Sequence, residues 1–296
     1  MSETTIELLA DYACDTGENP HYHPAENCVY WTDIPAGKLF RYDLATGQHN
    51  ICYEGEPVGG FTMQEDGSLL LFMARGAIKA WRDGKFVGTV HEEIADERET
   101  RFNDVFADPE GRVFCGTMPA PDRPGRLYRL DTDGTLTIVL EGIGCSNGMG
   151  FTPDGKHMYY TDSAAKTITR FAYDRKTGAV SDGSVFITVP REPGEGGPDG
   201  MTVDADGNLW SARWGGGCLV RYSGETGQEI DRVRIPRVTE VSSVSFGGPG
   251  YTQMYVTTAS GHKKGEGKED AGALFCVTVP GVHGVPEFVS RIRLNS

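Results

Sequence analysis

Three polar residues stand in one register ahead of three turns. Asn103 in "RFNDVFADPEG", Asn147 in "SNGMGFTPDG" and Asp199 in "PDGMTVDADG" each lie eight positions before the glycine that ends the turn. Those turns serve as a ruler, because proline presets φ and glycine accepts a positive φ. The same step back from Gly67 reaches Gly59, and from Gly250 it reaches Ser242. Near the N-terminus the turn is less regular, and the equivalent region holds Glu18 in "GENPHYHP". Two carboxylates and two amides, brought together, form an all-oxygen acceptor set. Such a set suits one hard divalent cation, Ca2+, Mg2+ or Mn2+, with Zn2+ and Fe(II) also open. Taken singly, each Asn or Asp has a local explanation, since these residues favour strand entries by bonding their own backbone. Three in register, with a glutamate, favour a site.

The elements that would bring them together are strands. Short alternating apolar runs dominate, Gly/Asp/Asn/Pro clusters separate them, and helical periodicity is almost absent, which predicts an all-β fold. The turns "PAEN", "QEDG", "DPEG", "TPDG", "DADG" and "GGPG" recur about every 40–50 residues, the spacing of four-stranded propeller blades. Each leads to a strand ("CVYWTDI", "SLLLFMA", "RVFCGTM", "HMYYTDS", "NLWSARW", "QMYVTTA"), a loop and a second strand ending in Arg, Tyr or Asp. The repeat predicts a six-bladed β-propeller, with four-stranded antiparallel blades around a central channel and one domain over residues 1–296. A double-sheet sandwich would not need such a repeat. "TIELLADYA" and "PEFVSRIRL" read as strands outside the six units, expected to close the ring and limit exposed edges. Equivalent positions on successive innermost strands converge on the axis. Glu18, Asn103, Asn147 and Asp199 are therefore expected to face one another at one mouth. Two long loops interrupt the pattern, residues 190–197 and the charged, glycine-rich 260–272.

The formal net charge of −14 opposes binding to nucleic-acid phosphates or anionic lipid, and its main effect is solubility. The seven cysteines form no CxxC pair, so they read as small buried hydrophobes in a reducing, cytoplasmic setting. Neither a signal peptide nor a transmembrane run is evident. Nucleophile systems are poorly represented. No GxSxG elbow exists, and nothing marks a His and Asp as partners of Ser146. His21 and His23 could ligate a metal, but such residues more often lie at a surface or line a pocket. Asp154 and Asp206 read as turn formers. Arg213 and Trp214 read equally as pocket lining or as blade packing.

The motifs together resemble the SMP-30/gluconolactonase/luciferin-regenerating-enzyme family. "GENP", "RFNDVFADPEGRVFCGTM", "CSNGMGFTPDGKHMYYTDS" and "PDGMTVDADGNLW" carry the likeness, with the strand ends "LFRYD", "LYRLD" and "ITRFAYD". The resemblance implies a six-bladed propeller with one divalent metal in the channel, hydrolysing a sugar lactone (a glucono-, xylono-, arabino- or galactonolactone) to the aldonic acid. Carried over motif by motif, Glu18, Asn147 and Asp199 would hold the metal, Asn103 would lie near metal and substrate, and Arg101 would bind substrate. The family's first motif usually reads Gly-Glu-Gly-Pro. Here Asn19 and His21 are polar departures from it. The segment "PAPDRPGR" after Met118 lacks a clear acidic counterpart to one that some members use for substrate. His21 and Met118 are expected to line the substrate pocket with Arg101 and Asn103.

Lactone hydrolysis needs a polarised carbonyl and an activated water, and a metal with open positions serves both needs. Asp199 is the expected general base as well as a ligand, although tight ligation weakens a carboxylate as a base; the alternative is that metal-bound hydroxide attacks directly and Asp199 only orients it. Two other readings share the scaffold: a metal-dependent esterase or organophosphate hydrolase, and a non-catalytic binding module, which would not require carboxylates at the axis. The expected partner is a small sugar lactone, with neither nucleic acid nor membrane, in a monomer or small homo-oligomer.

Overall fold

The computed structural model describes residues 3–261, 265 and 267–294. Residues 262–264 and 266 of the charged loop lie outside the described residues. Strand β1 is Thr5–Asp11. The first sheet is β2 (Gly17–His23), β3 (Cys28–Asp33), β4 (Lys38–Asp43) and β5 (His49–Glu54). The second is β6 (Val58–Met63), β7 (Leu69–Met73), β8 (Ile78–Arg82) and β9 (Lys85–His91). The third is β10 (Phe102–Ala107), β11 (Val113–Thr117), β12 (Gly125–Leu130) and β13 (Leu136–Ile143). The fourth is β14 (Ser146–Phe151), β15 (His157–Asp162), β16 (Thr167–Asp174) and β17 (Ala179–Thr188). The remaining strands are β18 (Gly197–Val203), β19 (Leu209–Trp214), β20 (Cys218–Tyr222), β21 (Glu229–Arg234), β22 (Glu240–Gly247), β23 (Gln253–Ala259) and β24 (Ala273–Thr278). With β1 they form one eight-stranded sheet.

The chain is thus all-β, with four-stranded antiparallel sheets set in a propeller-like ring. Instead of two further separate sheets, β18–β21 and β22–β24 with β1 are joined through a single residue pair, Trp214 with Glu240. That pair links the end of β19 to the start of β22. The first strands of successive units pack side by side in the order β2, β6, β10, β14, β18, β22, and β22 packs against β2.

The core lies between neighbouring sheets, which explains the unbroken apolar run of β7. Side chains alternate across a strand. Leu69, Leu71 and Met73 pack toward β3, β4 and β6, whereas Leu70 and Phe72 pack toward β10 and β11. A strand buried on both faces cannot carry a polar alternation.

Both terminal stretches were expected to be strands, and only one is. β1 pairs antiparallel with β24, Thr5 opposite Thr278. "PEFVSRIRL" forms no ladder, only an isolated bridge between Ser290 and Gln64. Its backbone is divided among several turns instead. Ser290 N donates to Met63 O at 2.7 Å, Arg291 N to Gly111 O at 2.8 Å and Arg293 N to Thr132 O at 2.8 Å. Just upstream, Gly284 N donates to Tyr251 O and His283 O accepts from Ala205 N. The turns it meets follow β6, β10, β12, β18 and β22, so residues 283–293 cross the end of the ring opposite the mouth where β2, β10, β14 and β18 begin. Successive amides that bond to different sheets cannot bond to one neighbouring strand.

Candidate metal and substrate site

Every innermost strand carries a β-bulge at the registered position. The pairing slips between Glu18 and His21, Val58 and Gly60, Phe102 and Val105, Asn147 and Met149, Pro198 and Met201, and Val241 and Ser243. A bulge adds a residue, bends the strand and re-aims a side chain. Glu18, Asn103, Asn147 and Asp199 flank or occupy these bulges, and all four are buried. Gly59 and Ser242 hold the other two positions, and Ser242 Oγ is turned to Gly17 O.

The amides are oriented by a chain of hydrogen bonds. Arg101 Nη1 donates to Asn103 Oδ1 at 2.7 Å, Asn103 Nδ2 donates to Asn147 Oδ1 at 3.0 Å, and Asn147 Nδ2 donates to Ser163 Oγ at 2.8 Å. Asn103 has its oxygen committed to Arg101. Asn147 Oδ1 keeps a second lone pair for a cation.

The carboxylates lack a compensating charge. Burial pushes the Glu18 carboxyl well above its ordinary range, and the negative charges of Asp199 and Asp104 add to the shift. Asp199 is raised in the same way, by burial first and then by Asp104. Asp104 is itself pushed up to about 7, mainly by burial, with Glu287 contributing. Arg101 opposes the shift of Glu18, but burial lowers its own pKa and its guanidinium is engaged with Asn103. Among the described residues no three His, Cys, Asp or Glu side chains form a ready cage for an ion. The set at this mouth instead offers two carboxylates and the Asn147 amide, a donor chemistry that fits a hard divalent cation.

Glycine holds this geometry together. A Cβ on Gly148 would meet Asp199 O at 2.6 Å and Met201 N at 2.6 Å, so β14 can approach β18 only without a side chain. Gly148→Ala is expected to destabilise the protein by about 2 kcal/mol, as overpacking against backbone does. It should also weaken cation binding by displacing Asp199. Thermal melts and cation titration of the variant check both effects, and wild-type values in both would refute the account.

Other expected residues fall into two groups. Met118 is at the site: its N donates to Arg101 O at 3.0 Å, and its Sδ lies 3.7 Å from Cys145 Sγ. Cys145, read from sequence only as a small hydrophobe, is half-buried and accepts from Asn147 Nδ2 at 3.6 Å. His21 is not directed at the substrate residues as expected. Its Nδ1 lies 2.7 Å from Glu287 Oε2 and its ring packs on Phe61, because the bulge after Glu18 turns it toward the opposite end. His23 caps the next turn, accepting from Glu26 N at 3.2 Å. Arg213 is blade packing, fully buried with Nη1 on Ser211 Oγ and its guanidinium against the Tyr222 ring. Trp214 is partly exposed. Asp154 does form its turn, but in the next unit Asp204 rather than Asp206 accepts the turn amides.

The family signature of SMP-30/gluconolactonase/LRE-like proteins matches residues 16–260, which includes all four mouth residues. The chain belongs to this family. Across the SMP-30/gluconolactonase/LRE-like relatives, it is 49% identical over 300 residues to the pentonolactonase XacC of Haloferax volcanii, covering 98% of this chain and all of that protein. It is 33% identical to chicken regucalcin (Gallus gallus), covering 97% of this chain and 99% of that one. A calcium-binding regucalcin from Agrobacterium tumefaciens superposes with a TM-score of 0.89 at 26% identity, covering 98% of both chains. No helix among the described residues is long and apolar enough to cross a membrane.

Proposed function

We propose that this protein hydrolyses a sugar lactone of the aldonolactone class to its aldonic acid, with one divalent cation held by Glu18, Asn147 and Asp199. The observation that carries the proposal is the pair of buried, uncompensated carboxylates beside an amide whose oxygen is held in place. The pentonolactonase relative supports the lactone, and the calcium-binding neighbour supports a hard cation, with Ca2+, Mg2+, Mn2+, Zn2+ and Fe(II) the ions to compare. We read the eight-stranded sheet as two blades, since one residue pair alone joins its halves. The result is a single six-bladed propeller in which β1 completes the last blade.

When bound, the cation supplies polarisation of the lactone carbonyl and acidifies water. The chain supplies the rest. Arg101, with Nη1 on Asn103, directs its remaining donors to the substrate's carbonyl or hydroxyls. Asn103 keeps the Asn147 amide from rotating. Asp199 accepts a proton from the attacking water and returns it to the ring oxygen as the acyl C–O bond breaks. Met118 and Cys145 give the pocket a soft, weakly polar edge.

A panel of pentono- and hexonolactones, assayed by proton release with each cation after chelator treatment, tests the reading. Cation-dependent hydrolysis of at least one aldonolactone is expected. Turnover of phosphotriesters with no lactone turned over would replace the substrate class.

A further inference from the structure

The two polar departures in "GENPHYH" both have structural partners. Asn19, with φ +49°, accepts from Phe61 N through its Oδ1 at 2.7 Å, tying the bulge of β2 to β6. His21, only 4% exposed, places Nδ1 2.7 Å from Glu287 Oε2, while its Nε2 has no protein partner. Glu287 belongs to the segment that crosses the opposite end of the ring. Glu18 immediately precedes this bulge, and its Oε2 accepts from Asn19 N at 3.3 Å. The backbone that aims Glu18 is therefore pinned from both sides by contacts remote in sequence.

We propose that Glu287 is a positioning residue for the cation site, acting through His21 on the bulge that aims Glu18. The inference rests on the cation reading above. Glu287 reaches inward from the segment outside the ring and fixes the ring of His21. His21 fixes β2 one residue beyond the Asn19-Pro20 bulge, and the bulge fixes the Glu18 carboxylate. Groups that hydrogen-bond a metal ligand directly typically alter metal affinity by 10–100-fold, and Glu287, which acts one step further out, is expected at the low end of that range. His21 is then an element of support and not a contact to substrate.

The test is calorimetric titration of Mn2+ into chelator-treated full-length protein, alongside thermal melts. Glu287→Ala should raise the Mn2+ Kd about tenfold. Glu287→Gln, whose amide oxygen still accepts from His21 Nδ1–H, should recover much of that loss. His21→Phe, which removes the acceptor's partner but keeps a ring against Phe61, should match Glu287→Ala and serves if the latter folds poorly. Ser290→Ala is the control. It loosens the same segment by removing the bonds of Ser290 Oγ to Thr62 Oγ1 and Met63 O, with no contact to β2. It should lower Tm and leave Kd within twofold of wild type. Wild-type affinity in both Glu287→Ala and His21→Phe, or an equal loss in Ser290→Ala, overturns the proposal. Glu18→Gln separates the two failures, because undiminished Mn2+ binding in that variant would overturn the cation site itself.

Discussion

Asp199→Asn should lower kcat/KM for the best aldonolactone by roughly a thousandfold, within the range that loss of a general base produces. The substitution keeps size and one acceptor oxygen, so the bulge between Pro198 and Met201 should persist. It removes the negative charge that acts on Glu18 as a like charge, and with it the ability to take a proton from water. Two consequences can be separated. Loss of ligation raises the cation concentration needed for half-maximal rate, and saturating cation restores that part. Loss of proton acceptance lowers kcat at any cation concentration. A variant with wild-type kcat at saturation would remove Asp199 from proton transfer and leave it as a ligand alone. Wild-type behaviour in both would remove it from the site.

Chelation should lower Tm by about 5 °C near neutral pH and by much less near pH 5, since a cation at a hundred times its Kd stabilises by about 2.7 kcal/mol. The sign of the pH effect follows from the carboxyls. Glu18, Asp199 and Asp104 are all raised in the folded protein, Asp104 to about 7. Between about 4, where such groups titrate in an unfolded chain, and about 7, the folded state holds protons that the unfolded state has released. Stability of the cation-free protein is therefore greatest at the acid side of that window and falls as pH rises through it. A divalent cation competes with those protons, so its stabilisation grows over the same range. Melts at several pH values, with and without chelator, check this. A chelator effect that is absent at neutral pH, or that increases toward acid, would contradict the buried-carboxylate account.

The grouping of residues at the candidate site was legible because a fixed ruler exists. The turn glycines Gly111, Gly155 and Gly207 all adopt positive φ, and each stands eight residues beyond its mouth residue. A repeat with constant spacing makes equivalent positions visible without any contact information. The bulges were not visible, because a pairing slip depends on the neighbouring strand and leaves no periodic trace. The role of His21 was hidden for a related reason. Its partner Glu287 lies far along the chain, in "PEFVSRIRL", which reads as a strand where tertiary hydrogen bonds decide otherwise. Cys145 looked like one more apolar thiol, and only the neighbouring Asn147 and Met118 distinguish it.

The pairing of β1 with β24 sets an order on biosynthesis. Thr5 leaves the ribosome long before Thr278, yet they lie opposite each other in one sheet. β1 must wait, unpaired, while the intervening sheets are made. Closing so long a loop makes folding slow, and a waiting strand edge is exposed to other chains. Shortening the chain from its C-terminal end past β24 should therefore strand β1 and leave an aggregation-prone protein, even though every residue of the candidate site would still be present.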